Sequence, residues 1–202
     1  MKQCLLALLV ASLSAVSMAA DIQPAIVYDL GTKFDKSFNE GVSNGAKRFT
    51  EETKLEVREF EPANDSQIEQ AIRKLAGRGS DPVISVGFSQ ANALTTVAKE
   101  FPKTSFTIID MVVDQPNVRS VTFKEEQGSF LVGALAAMAS KTGKVGFVGG
   151  QDIALIRKFA CGYEQGAKYI KKDVEVFQNM TGSTGAAWNN PSKGGELAKS
   201  QF

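Results

Sequence analysis

The chain has 202 residues, of which 43% are apolar and 22% are charged, and this is an ordinary composition for a soluble globular protein. The 23 basic and 22 acidic residues nearly balance, so the charge gives no reason to expect nucleic acid or an anionic membrane as a partner. The sequence contains no histidine, which excludes histidine-dependent catalysis and histidine-ligated metal sites.

The N-terminal residues have the pattern of a secretory signal peptide. A lysine at position 2 is followed by an apolar run over residues 5–15, too short to span a membrane, and then by small residues. We therefore expect residues 1–19 to be a cleaved signal peptide, with an uncleaved anchor helix as the alternative. Cys4 precedes the apolar run and is badly placed for lipid attachment, so no lipoprotein anchor is expected. The one cysteine that remains after cleavage, Cys161, cannot form an internal disulfide.

After the signal, short apolar runs alternate with amphipathic helical patterns. The runs recur about every 25–30 residues, the length of a strand–helix–strand unit, and cover residues 25–29, 55–60, 82–86 and 105–110. Some runs are apolar on both faces, which is typical of strands covered by helices on both sides. The pattern predicts an α/β fold with a parallel sheet and right-handed crossovers. Ser66 and Glu69 predict a capping box at the second helix, and Pro102 predicts the end of the third.

A second unit follows the run at residues 118–123. We expect in it a strongly apolar helix around residues 130–138, a strand at residues 144–148 that ends before Gly149-Gly150, a helix over residues 153–170 and a strand at residues 174–177. The predicted lobes are residues 20–120 and residues 121–202.

The two units contain similar segments. Residues 41–47 read G-V-S-N-G-A-K and residues 162–168 read G-Y-E-Q-G-A-K, 121 positions later. The strand before each segment and the strand after it recur at nearly the same offset, which favours an internal duplication over chance. We expect the glycines to be sites of close helix–sheet packing.

The duplication predicts a partner for the third strand near residues 204–207, beyond the last residue of the chain. We therefore expect the chain to be a fragment whose second lobe is truncated at the C-terminus. A short natural variant is the alternative.

Ligands of open α/β sheets bind outside the carboxyl ends of the strands. The segments expected there are rich in carboxylates, amides and aromatic rings: residues 29–40, Gly87-Phe88-Ser89-Gln90, Asp110-Met111, Gly149-Gly150 and residues 181–190. Several side chains also have a structural interpretation: a helix cap for Asp35 and Asp110, core packing for Phe38 and Phe88, and surface packing for Trp188.

An enzyme receives little support from the sequence. The dinucleotide fingerprint and the phosphate loop are absent, and Cys161 has no histidine to act as its base. We therefore expect no catalytic residue, no metal and no cofactor. A secreted carboxylate-dependent hydrolase remains a remote alternative.

The sequence resembles a known family in the same segments. Residues 28–40, which read Y-D-L-G-T-K-F-D-K-S-F-N-E, look like the first signature of the basic-membrane-protein family of ABC-transporter binding proteins. Residues 123–137, 149–167 and 184–199 are similar to further signatures, so that the resemblance runs over residues 22–202. It implies two Rossmann-like lobes of the type I periplasmic-binding-protein class, with a purine nucleoside bound between them.

The resemblance also implies roles for single residues. Phe38 from one lobe and Trp188 from the other would stack on the purine, while Asp29, Asn39 and Asp110 would hydrogen-bond the edge of the base. Gly87 and Phe88 complete the predicted ligand-binding set.

The expected function follows from these roles. We expect a monomeric periplasmic binding protein that delivers a nucleoside to an ABC transporter permease in the inner membrane, without a nucleic-acid partner. A binding protein for another small polar ligand, such as a sugar, is the alternative.

Overall fold

The computed structural model describes residues 22–201. The predicted signal peptide, residues 1–19, lies outside the described residues. The chain divides into two compact units, the first ending at Thr122 and the second beginning at Phe123.

The first unit contains a five-stranded parallel sheet with the strand order β2-β1-β3-β4-β5. The strands are β1 (Ala25–Val27), β2 (Arg58–Phe60), β3 (Val83–Val86), β4 (Phe106–Ile109) and β5 (Val118–Val121). They are connected by α1 (Phe38–Thr53), α2 (Ser66–Gly77) and α3 (Ala91–Glu100), with a short 3-10 turn at Phe88–Gln90 before α3. The predicted α/β fold with a parallel sheet is confirmed.

Both faces of this sheet are covered by helices, as the strand composition predicts. Alternate residues of a strand point to opposite faces. Val27 accordingly belongs to a core cluster with α2 and α3, which contribute Ile72 and Leu94. Its neighbours Ile26 and Tyr28 belong to a second cluster, to which α1 contributes Ala46, Phe38 and Val42.

The helix boundaries agree with the sequence at Pro102 and differ from it at Ser66. The third helix ends at Glu100, as expected. The capping box is wrong, because α2 begins at Ser66 itself and the Ser66 hydroxyl donates to Asn64 Oδ1 at 2.5 Å. Glu69 pairs with Arg73 one helical turn later and makes no cap.

The second unit has a parallel pair of strands and three helices among the described residues. They follow in the order α4 (Glu125–Ala139), β6 (Lys144–Gln151), α5 (Ala154–Ile170), β7 (Glu175–Gly182) and α6 (Pro191–Ser200). Both strands are longer than predicted, so that Gly149-Gly150 and Thr181 lie inside them rather than in loops. The strand pairing continues to Gln151 and Gly182.

The glycines of the repeated segment pack differently in the two units. A Cβ added at Gly162 of α5 would lie 2.2 Å from Glu126 O of α4. A Cβ added at Gly166 of α5 would lie 1.9 Å from Phe130 O of α4. A Cβ at Gly41 or Gly45 of α1 would meet no described atom within 4 Å. The expected helix–sheet packing is therefore wrong: in α5 the glycines allow a close helix–helix contact, and in α1 they face open space.

The order of elements supports the predicted duplication. In each unit a strand leads to a helix that carries the repeated segment, and then to a strand parallel to the first. Among the described residues, no helix is both long and apolar enough to cross a membrane.

Candidate functional site

The strand register aligns three of the predicted site residues along the carboxyl edge of the first sheet. Val27 lies opposite Ser85, which brings Asp29 beside Gly87. Val86 lies opposite Ile109, which brings Gly87 beside Asp110. Neighbouring strands are about 4.8 Å apart, so the two aspartates lie on either side of the glycine along one edge.

The Asp29 carboxylate is held from two sides. Its Oδ1 accepts hydrogen bonds from the Leu30 backbone N–H and the Ser89 hydroxyl, both at 2.9 Å. A Cβ added at Gly87 would lie 2.5 Å from Asp29 Oδ2, so only glycine permits this approach, and Gly87 has a φ of +96°. Burial raises the pKa of Asp29 above its usual range, although both hydrogen bonds lower it.

Asn39 organises the loop between β1 and α1. Its side chain is 2% exposed, accepts from the Asp29 N–H at 3.1 Å and donates to the carbonyls of Asp29 and Thr32 at 3.1 and 3.3 Å. These bonds occupy the amide with the backbone of its own loop. The structure thus gives Asn39 a positioning role next to Asp29.

Asp35 caps the start of α1, which is the structural alternative considered for it. Its carboxylate accepts from the backbone N–H groups of Ser37, Asn39 and Glu40 at 2.8, 3.0 and 3.1 Å. Burial alone would raise the pKa of Asp35, but the backbone hydrogen bonds have the larger combined effect and lower the pKa below its usual value.

Two further side chains stabilise this edge, and the sequence motifs did not identify them. Glu59 of β2 accepts from the buried Tyr28 hydroxyl at 2.8 Å and also pairs with Lys33 of the β1–α1 loop. Burial, together with the hydrogen bond to Glu59, raises the pKa of Tyr28 to about 12. The Gln90 amide, which is fully buried, donates to the carbonyls of Tyr28 and Val27 at 2.8 and 3.2 Å.

Asp110 directly follows β4 and has a left-handed backbone conformation. Its φ is 75°, and its N–H donates to Val121 O of β5 at 2.8 Å. Aspartate tolerates this region better than most residues, and such conformations concentrate at functional sites. The backbone hydrogen bond to β5 holds Asp110 at the sheet edge.

The two aromatic candidates of the first unit are partly buried. Phe38 begins α1 and packs against the cluster of Ile26 and Tyr28 while part of its surface remains accessible. Phe88 follows Gly87 in the 3-10 turn and is also partly buried.

Trp188 lies in the second unit, in a 3-10 turn at Gly185–Asn189, and is 50% exposed. A Cβ added at Gly150 of β6 would lie 2.5 Å from two ring carbons of Trp188, so the indole rests directly on the strand backbone. The Thr181 hydroxyl holds this turn by donating to Ala187 O at 2.8 Å. The indole is therefore fixed at one end of β6 with about half its surface open.

The part of the chain that the structure describes contains no cluster of side chains suited to bind a metal ion. No group of three or more Cys, Asp or Glu side chains within residues 22–201 could hold an ion. Cys161, exposed on α5, is a free thiol.

Comparisons of the chain with known proteins agree on one family. Residues 22–202 match the family described as ABC transporter substrate-binding protein PnrA-like. Basic membrane protein A2 of Borrelia garinii subsp. bavariensis is 35% identical over 171 residues, covering 83% of this chain and 50% of the relative. The ABC transporter nucleoside-binding protein BmpA of Lactococcus lactis subsp. cremoris is 32% identical over 197 residues, covering 95% of this chain and 55% of the relative.

Solved structures agree with this family. A solute-binding protein of an ABC transporter system from Aeropyrum pernix K1 has a TM-score of 0.78 at 27% identity, covering 90% of this chain and 53% of that one. A second, from Conexibacter woesei, has a TM-score of 0.69 at 26% identity, covering 89% and 60%. The chain spans about half the length of the curated relatives it matches. It belongs to the Bmp family of PnrA-like ABC transporter substrate-binding proteins.

Proposed function

We propose that the protein binds a purine nucleoside in the periplasm and delivers it to the permease of an ABC importer, without making or breaking a covalent bond. The observation that carries this proposal is the alignment of Asp29, Gly87 and Asp110 along one sheet edge. A nucleobase presents N–H donors along its edge, and fixed carboxylates are suitable acceptors for them.

The charge of this edge favours an uncharged ligand. Asp29 contributes a carboxylate there, and a negative charge repels the phosphate of a nucleotide. A nucleoside has the same base without that phosphate. The relative from Lactococcus lactis is itself named as a nucleoside-binding protein, which supports the same ligand class.

Aromatic surfaces supply the second part of the proposed recognition. Phe38 in the first unit and Trp188 in the second each leave part of their ring accessible. Flat heteroaromatic bases gain about 1–3 kcal/mol per base from stacking on such rings. Asn39 contributes by holding the Asp29 loop.

Isothermal titration calorimetry tests the proposal. We expect heat with at least one of guanosine, inosine and adenosine, and much weaker binding of the corresponding monophosphate. Heat with ribose or glucose and none with any nucleoside would overturn the ligand class. Turnover of a nucleoside during the titration would overturn the binding-only role.

A matched pair of variants locates the site. Asp29→Asn should weaken nucleoside binding on the order of tenfold, because it removes the charge that accepts the ligand N–H group. Asp173→Asn, in the exposed turn before β7, makes the same chemical change away from the sheet edge and should leave the affinity unchanged. Equal effects of the two variants would refute the placement.

A further inference from the structure

The two oxygens of the Asp29 carboxylate have different surroundings. Oδ1 accepts from the Leu30 N–H and the Ser89 hydroxyl, each at 2.9 Å. Oδ2 lies 2.5 Å from the position that a Cβ of Gly87 would occupy. Each carboxylate oxygen has about two acceptor positions, so Oδ1 is saturated by the protein while Oδ2 retains its capacity.

Ser89 is itself held in place by its own turn. The turn begins after Gly87, which has a φ of +96°. Its last residue, Gln90, is fully buried and donates to the carbonyls of Tyr28 and Val27. The Ser89 hydroxyl therefore lies next to an anchored residue, and its single donor is directed at Asp29.

We propose that Ser89 is a positioning residue that fixes the Asp29 carboxylate so that Oδ2 alone accepts one N–H donor from the base of the bound nucleoside. This inference rests on the proposed function and deepens it. Because Oδ1 is already occupied, the site selects bases that can direct one N–H group at Oδ2. Ser89 does not touch the ligand in this arrangement and acts through Asp29.

The ionisation of Asp29 supports the same role. Burial raises the pKa of this carboxyl, and the nearby charge of Asp65 raises it further, whereas the hydrogen bonds from Leu30 and Ser89 lower it. The Ser89 hydroxyl thus helps to keep Asp29 in the charged form that accepts a donor.

Two ligands that differ in one donor test the inference. Adenosine carries an exocyclic amino group, and purine riboside has the same ring without any N–H on the base. Wild-type protein should prefer adenosine by about tenfold, as expected for one hydrogen bond to a charged acceptor. Ser89→Ala should reduce this preference several-fold because the carboxylate can then rotate, and Ser89→Thr, which retains the hydroxyl, should restore it.

The selectivity ratio separates positioning from a general structural effect. A loosened fold would weaken both ligands equally and leave their ratio unchanged, so an unchanged ratio in Ser89→Ala overturns the inference. Wild-type protein that binds neither ligand overturns the ligand part of this inference, and the proposed function falls with it only if guanosine and inosine also give no heat.

The position of the carboxylate can be tested without a ligand. An NMR titration of the Asp29 side-chain carbon should give a higher pKa in Ser89→Ala than in the wild type and in Ser89→Thr, because one stabilising hydrogen bond is lost. Equal pKa values in all three proteins would overturn the claim that Ser89 holds Asp29, whatever the ligand is.

Discussion

Replacing Gly166 by alanine should force the two helices of the second unit apart. The added Cβ would lie 1.9 Å from Phe130 O, and non-bonded atoms of this kind do not approach closer than 3.0 Å. Because the obstructing atom belongs to the backbone of α4, no side-chain rotation relieves the clash. The helices must separate by roughly 1 Å at this point, which weakens dispersion contacts along their interface.

The expected cost is at the upper end of the range for overpacked cores, about 3 kcal/mol of unfolding free energy. Gly45→Ala is the matched control, because it changes the corresponding glycine of the first repeated segment. There a Cβ meets no described atom within 4 Å. Removing glycine from a helix interior should stabilise the protein by roughly 0.5–1 kcal/mol.

Urea denaturation measures both effects. Trp188 is the only tryptophan of the chain and belongs to the second unit, so its fluorescence follows the unit that Gly166→Ala destabilises. Circular dichroism follows the helices of both units. Changes of the same sign and size in Gly166→Ala and Gly45→Ala would refute the distinction between a helix–helix contact and an open helix face.

Three further substitutions test the candidate site. Gly150→Ala should displace the indole of Trp188, since the new Cβ would lie 2.5 Å from its ring, and the fluorescence maximum should move to longer wavelength. Asp35→Ala should lower the unfolding free energy by about 1 kcal/mol at pH 7 through loss of the α1 cap. The stabilisation by Asp35 exists above its unfolded pKa of about 3.9 and is lost as the pH falls through its lowered folded pKa, so the two proteins should converge in acid. Tyr28→Phe should lose less stability than wild type between pH 10 and about 12, because the buried phenol stabilises the fold only while it is protonated.

Each of these substitutions has a contradicting outcome. For Gly150→Ala it is an emission maximum identical to that of wild type; Gly185→Ala, where a Cβ meets nothing within 4 Å, is the control. For Asp35→Ala it is a stability difference that stays constant down to pH 2. For Tyr28→Phe it is an alkaline unfolding curve that overlays that of wild type.

The sequence predicted the sheet and its edge because both depend on local patterns. Strands that are apolar on both faces require helices on both sides, and Val27 and Ile26 contact helices on opposite faces. The rule that ligands bind at carboxyl ends places the segments that contain Asp29 and Asp110 at this edge, and the family resemblance singles out the two aspartates within them. The structure adds that Gly87 lies between them.

Features that depend on tertiary contacts could not be predicted from the sequence. Ser66 and Glu69 satisfy the capping pattern, yet Arg73 competes for the Glu69 carboxylate across one helical turn. The repeated glycines are identical in sequence, but only the copy on α5 has a neighbouring helix at contact distance. Gln90 carries no motif, and only the fold reveals its bonds to the end of β1.

Amide chemical shifts during a nucleoside titration test the proposed binding edge most directly. The largest changes should fall on Asp29, Gly87 and Asp110 and on the residues that adjoin them at the ends of β1, β3 and β4. Saturating shifts confined to the opposite ends of these strands would contradict the account.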